Sequence, residues 1–251
     1  MACPIKKILI SQPAPASGNS PYFAIAEKYN IKIDFKQFIQ VVPLEAIEFR
    51  KQRISILDHS AIIFTSRIAI DHFFSLAQEM RLTIPETMKY FCISESVALY
   101  LQKYIVYRKR KVFFSTNGKM DGLHMLLSKH NKELYFVPVA EEHTTDLFET
   151  LDAKKVHYNK AVMYRTIARE FDPSEPLDHD MIIFFSPMGI ASLFKNFPDF
   201  KQGNTLILSS GPQTSKAVEE AGLRLDHTLM VPGQTLSVTA ALDEYLSKLK
   251  K

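Results

Sequence analysis

Asp58-His59-Ser60-Ala61-Ile62-Ile63-Phe64-Thr65-Ser66 and Asp178-His179-Asp180-Met181-Ile182-Ile183-Phe184-Phe185-Ser186 are the same stretch written twice, 120 residues apart. Six of the nine positions are identical. Each copy is a short apolar run ending on a serine, which reads as a buried strand that stops where a helix begins.

The flanks repeat as well. Helical stretches follow at Ile68 to Met80 and Gly189 to Phe197, then short strands at Tyr90 to Ile93 and Thr205 to Leu208. Each strand ends in a small polar cluster, Ser94-Glu95-Ser96 or Ser209-Ser210-Gly211-Pro212-Gln213-Thr214, and leads into helix at Val97 to Tyr104 or Ser215 to Ala221. Phe113 to Gly118 and Leu229 to Gln234 repeat the strand-to-loop step before helices at Met120 to Leu127 and Leu236 to Leu249. Upstream, Ile8-Leu9-Ile10-Ser11-Gln12-Pro13 matches Leu134-Tyr135-Phe136-Val137-Pro138, each followed by helix and then by an apolar stretch, Phe38 to Pro43 or Ala161 to Arg165.

Strands alternating with helices at this spacing predict an α/β protein with two similar Rossmann-like or flavodoxin-like lobes, each around a parallel sheet wound by right-handed crossovers. Function is expected in the cleft between them. The stretches near 38 to 44 and 160 to 167 are the candidate linkers. The pattern leaves open whether the lobes are consecutive or whether the first strand and helix join the last quarter of the chain.

Composition narrows the function. The chain has 251 residues, 46% hydrophobic and 23% charged, with a net charge of +4, which suits a soluble protein with an anionic small-molecule ligand. The run Arg108-Lys109-Arg110-Lys111 reads as a solvated helix-to-strand connection, since four charges without interleaved aromatics carry no nucleic-acid specificity. Cys3 and Cys92 form neither a CxxC pair nor a disulfide framework, and the N-terminus shows no signal-peptide pattern, so a cytoplasmic protein with no membrane partner is expected. The histidines lack HxxxH or HExxH spacing, and no GxGxxG, Walker or GxSxG motif follows a strand, which predicts no metal and no nucleotide cofactor.

The strand ends remain as the candidate site. Ser66, Ser94, Ser115 or Thr116, Ser186 and Ser210 or Gly211 stand where a hydroxyl caps a helix, with Pro187 and Pro212 suited to the first turn. Each is explained alone by capping. Several helix N-termini facing one ligand would instead hold a polyanion, with Gly211 and Gly118 allowing close backbone approach.

Phe64-Thr65-Ser66, Phe184-Phe185-Ser186-Pro187-Met188-Gly189, Ser210-Gly211-Pro212-Gln213-Thr214-Ser215-Lys216-Ala217-Val218 and Ala161-Val162-Met163-Tyr164-Arg165-Thr166 resemble the strand-end and linker signatures of the uroporphyrinogen-III synthase family. The resemblance spans nearly the whole chain in the same order. It implies one discontinuous lobe of residues 1–35 plus 170–251, an inserted lobe of 45–159, and a two-stranded antiparallel connection of 36–44 and 160–169. It further implies a monomeric, cofactor-free enzyme that closes hydroxymethylbilane, a linear tetrapyrrole with eight carboxylates, losing water and inverting the last ring.

Tyr164 falls where the family places a tyrosine proposed to hydrogen-bond the departing hydroxyl. Thr65, Ser66, Arg67, Ser94, Ser96, Asn117, Ser186, Pro187, Gly189, Gly211, Gln213 and Thr214 are the implied substrate-binding residues. The chain departs from the family pattern at Ser94 and Val97, where the second copy has Gly211 and Thr214, and at Ser11-Gln12-Pro13, where many members have Thr-Arg-Pro. Arg67, Arg165 or Lys119 would supply compensating charge. The competing reading is a non-catalytic two-lobed cytoplasmic sensor for an anionic metabolite on the same scaffold.

Overall fold

A computed structural model describes residues 4–117, 120–172, 174–230 and 236–249, without the side chains of Met120 and Asp121. The chain divides into two compact units, Met1–Gln40 with Ile167–Lys251, and Val41–Thr166. The divisions fall inside two strands, β3 (Ile39–Pro43) and β8 (Tyr158–Ala168).

The first unit holds a five-stranded sheet in the order β11-β10-β9-β1-β2, formed by His227–Thr228, Leu206–Ser209, Met181–Phe184, Lys7–Ile10 and Lys32–Phe35. All its pairings are parallel. Helices α1 (Pro21–Tyr29), α7 (Pro187–Asn196), α8 (Pro212–Glu220) and α9 (Val238–Leu249) connect or follow these strands.

The second unit repeats that order as β6-β5-β4-β7-β8, formed by Val112–Phe114, Lys89–Cys92, Ala61–Phe64, Tyr135–Ala140 and Tyr158–Ala168, again in parallel. Its helices are α2 (Ala46–Arg50), α3 (Arg67–Glu79), α4 (Glu95–Tyr100), α5 (Met120–Lys129) and α6 (Asp146–Ala153). Strand β3 lies beyond β8 and makes this sheet mixed. It runs antiparallel, since the Leu44 N–H donates to the Met163 carbonyl while the Arg169 N–H donates to the Phe38 carbonyl.

The sequence repeat and the folded unit are therefore different things. Strand β1 pairs with β9, Ile8 opposite Met181, and β7 pairs with β4, Ala61 opposite Tyr135. Each five-stranded parallel array takes its three-strand run from one copy and its other two strands from the other. The parallel order explains the apolar runs: β4 and β9 are central strands, buried at every position, as expected where helices cover both faces.

Local sequence accounts for the helices. In α3 the buried residues Ala69, Ile70, Phe73, Leu76 and Ala77 recur at helical spacing on one face. Fully burying each Ile or Phe of that face is worth roughly 1.5–3 kcal/mol. The helix stops with Arg81 at φ 55° and the Leu82 N–H bonded back to the Ala77 carbonyl at 2.8 Å, the left-handed ending that closes the last turn.

Three local expectations are corrected. Strand β2 follows α1 and had no counterpart in the reading, because Lys32-Ile33-Asp34-Phe35 is an edge strand with no fully buried residue. Helix α4 ends at Tyr100 and gives way to a tight 3-10 turn at Leu101–Lys103, so Val97 to Tyr104 is not one helix. The last strand is His227–Thr228, earlier than Leu229 to Gln234, of which 231–234 lie outside the described residues.

Candidate active site

In the second unit, three neighbouring strands deliver three helix starts at their carboxyl ends. After β4, Ser66 adopts extended backbone and its Oγ accepts the Ala69 N–H at 3.1 Å. Thr65 beside it is half-buried. Arg67 follows, exposed, with its guanidinium 5.6 Å from the Tyr100 ring centroid and no ion pair among the described residues. After β5, the Ser94 Oγ accepts the Val97 N–H at 3.4 Å and lies 3.1 Å from the Ser96 hydroxyl.

After β6, Ser115 is buried and donates to Asn117 Oδ1 at 2.5 Å. This corner requires Gly122: a Cβ there would stand 2.3 Å from Ser115 Oγ and 2.7 Å from Asn117 Oδ1. Gly118 and Lys119, read as a flexible approach and a compensating charge, lie outside the described residues.

Tyr164 on β8 belongs to the same unit. Its half-buried ring stacks on the His72 imidazole of α3, centroids 4.9 Å apart and planes inclined by 21°. Burial pushes the Tyr164 phenol up, while the Ser66 hydroxyl beside it draws it back. The phenol stays protonated at neutral pH and can donate a hydrogen bond. Burial lowers His72, against the opposing pull of Asp71, so the imidazole is neutral.

Arg165, the other proposed compensating charge, is already engaged. Its NH2 group bonds Glu48 Oε1 at 2.7 Å, and its Nε lies 3.6 Å from Glu141 Oε2. Arg67 is the arginine of this set left available.

The first unit has the matching junctions. After β9, Ser186 Oγ accepts the Gly189 N–H at 3.3 Å, and Pro187 occupies the first turn of α7. Gly189 is buried, and a Cβ on it would lie 3.3 Å from the Phe184 ring and 3.9 Å from Ser11 Oγ. Its glycine identity thus serves packing, and its N–H is taken by the cap. After β10, Gly211 opens α8 with extended backbone and no side-chain cap.

Gly211 is not demanded by conformation, because a Cβ would meet only the Met230 carbonyl at 3.8 Å. What the missing side chain leaves is a first turn without the capping hydroxyl that Ser66, Ser94 and Ser186 supply to theirs. Gln213 is exposed there, whereas Thr214 is buried in the helix base. Pattern reading missed the cluster under this turn. The Ser215 hydroxyl lies 2.6 Å from that of Ser209 and 2.8 Å from that of Thr228, tying α8 to β10 and β11.

The repeated histidines have structural work. His59 lies 2.8 Å from the Ser55 carbonyl and 3.0 Å from Asn159 Oδ1 on β8. His179 lies 3.2 Å from Asp34 Oδ2 on β2. In each unit the histidine ahead of the central strand reaches the strand two places along the sheet. Cys92, buried at the end of β5 with its thiol pushed up to about 12 by burial, is a core residue. Among the described residues no cluster of three or more His, Cys, Asp or Glu could hold a metal ion, and no helix is long and apolar enough to cross a membrane.

These features define a class: a duplicated α/β protein whose sheets, built from exchanged halves of two repeats, present helix starts and hydroxyls at their carboxyl ends. The family model for uroporphyrinogen-III synthase HemD matches residues 26–233. The chain belongs to the uroporphyrinogen-III synthase family, the cyclising lyases of tetrapyrrole biosynthesis.

Its fold is similar to that of uroporphyrinogen-III synthetase from Helicobacter pylori, at 18% identity over 97% of this chain and 100% of the other, with a TM-score of 0.57. A uroporphyrinogen III synthase variant from Thermus thermophilus aligns at 14% identity over 98% and 99% of the two chains, with a TM-score of 0.48. No curated protein matches the chain.

Proposed function

We propose that this chain closes hydroxymethylbilane to uroporphyrinogen III, with loss of water and inversion of the last pyrrole ring, acting as a cytoplasmic monomer without a cofactor. The observation that carries the reading is the environment of Tyr164. A half-buried, protonated phenol held by a stacked neutral imidazole and a serine hydroxyl is suited to donating a hydrogen bond to a departing hydroxyl.

The electron-rich pyrrole expels that hydroxyl readily. The larger task is to hold a flexible octacarboxylate in a closing geometry, where positioning dominates the rate. Helix starts supply the contacts, through backbone N–H groups and the dipole. Thr65, Ser66, Arg67, Ser94, Ser96 and Asn117 would bind carboxylates from the second unit, and Ser186, Pro187, Gly211 and Gln213 from the first. Gly189 and Thr214 support that surface from beneath, since both are buried.

The test supplies freshly made hydroxymethylbilane and resolves the uroporphyrinogen isomers. Type III is expected. Accumulation of the uninverted type I isomer alone, at the rate seen without protein, overturns the synthase reading in favour of a binding protein.

A further inference from the structure

The basic run at 108–111 is not simply solvated. It borders a cavity of about 490 Å³ in the second unit, at the amino ends of β5 and β6, whereas Ser66, Ser94 and Ser115 follow the carboxyl ends of the strands. The size suits a small organic ligand.

Its walls are flat and apolar. Phe74 and Tyr104 stack with centroids 4.5 Å apart and planes inclined by 6°, and Tyr90, also on the wall, lies nearly parallel to Phe64 at 9°. Leu82, Ile84, Met88 and Ile105 are among the apolar residues that add to the lining. Such ring faces suit a planar aromatic body.

Its charge is positive. Lys111 and Arg108 both line the cavity and are half-buried. Arg108 pairs at 3.2 Å with the exposed Glu86, which also lines the cavity, whereas Lys111 has no carboxylate partner among the described residues, so the lining keeps a net positive charge. Lys109 and Arg110 add two exposed charges alongside. The loop is held in place, because the Tyr90 N–H donates to the Lys111 carbonyl at 2.8 Å and the Lys111 N–H donates to that of Arg108 at 2.8 Å. A half-buried cation without a partner beside an apolar pocket is complementary to a carboxylate on a flat hydrophobic body.

We propose that this cavity is a second ligand site, separate from the strand-end site, which takes a planar aromatic carboxylate with its ring against Tyr90 and Tyr104 and its carboxylate on Lys111 and Arg108.

The experiment titrates the full chain with 2-naphthoate by isothermal calorimetry. One saturable site is expected, with 2-naphthamide weaker by about tenfold, the loss that follows from removing one charge-assisted hydrogen bond. Lys111→Glu, on the surface loop, should weaken 2-naphthoate by at least about the same factor, and Ala77→Phe should fill the cavity and abolish binding. If Ala77→Phe fails to fold, Lys111→Glu and the amide comparison still decide. Absence of saturable binding, or equal affinity for acid and amide, overturns the proposal. So does binding that survives Lys111→Glu but is lost in Ser66→Ala, which would place the probe at the strand ends.

Discussion

The His72 imidazole lies on the Tyr164 ring, 4.9 Å between centroids, and so joins helix α3 to strand β8 beside the Ser66 cap. If Tyr164 donates to the leaving hydroxyl, Tyr164→Phe should lower kcat by about tenfold, the loss of one such hydrogen bond at the transition state, with unchanged thermal stability. His72→Phe should keep the stack and most of the rate, and His72→Ala should lose both. Steady-state kinetics of the three variants checks this order. Unaltered kcat in Tyr164→Phe would leave the tyrosine a packing residue.

Burial of His179, against the opposing pull of Asp34, sets an acid limit on stability. Burial lowers His179, outweighing the opposing pull of Asp34, and burial also lowers His72 and His227. A base whose folded pKa lies below its unfolded value binds fewer protons when folded, so its stabilising effect is present above the unfolded pKa near 6.5 and is lost as pH falls towards the folded value. Urea unfolding at pH 7.5 and 5.5 should show lower stability at the acid end, with a shallower fall in His179→Gln. Equal pH dependence in both proteins would remove His179 from the account.

Gly211 separates binding from stability. Gly211→Ser would give α8 the capping hydroxyl that α3, α4 and α7 possess, adding a few tenths of a kcal/mol, roughly the gain over glycine at this position. If the open first turn binds a substrate carboxylate, the same change should raise KM. A higher melting temperature together with an unchanged KM would show that the turn carries no carboxylate.

Gly122 has no room for a methyl group. Gly122→Ala should cost about 1–3 kcal/mol, the usual range for overpacking, measured by chemical denaturation. Combining it with Ser115→Ala should recover part of the loss, since Ser115 Oγ is the nearest obstacle at 2.3 Å. A fully stable Gly122→Ala protein would mean that the corner after β6 yields easily.

Much of the element pattern was legible because it is local. Ile62-Ile63-Phe64 and Ile182-Ile183-Phe184 are continuous apolar runs ending on Ser66 and Ser186, and both serines cap helices through their Oγ. Strand β2 was illegible for the opposite reason, since its residues are half-exposed at a sheet edge. At the site, residue type marked the helix starts but not their occupancy. Nothing in the letters distinguishes the Gly189 N–H, taken by Ser186, from the first turn of α8, which no side chain caps among the described residues. Nor does any spacing along the chain show that Arg165, unlike Arg67, is engaged by Glu48 and Glu141.

The duplication itself, the strand–helix alternation and the hydroxyls at the strand ends are properties of the sequence alone, because periodicity and capping depend on residues a few places apart. Tertiary structure decided how the copies are shared. Ile8 pairs with Met181 and Ala61 with Tyr135, and parallel pairing across such separations rests on backbone hydrogen bonds that most residue types can make. The placing of His72 on Tyr164 and of Lys111 beside a flat aromatic wall follows from the same long-range packing, which no spacing along the chain records.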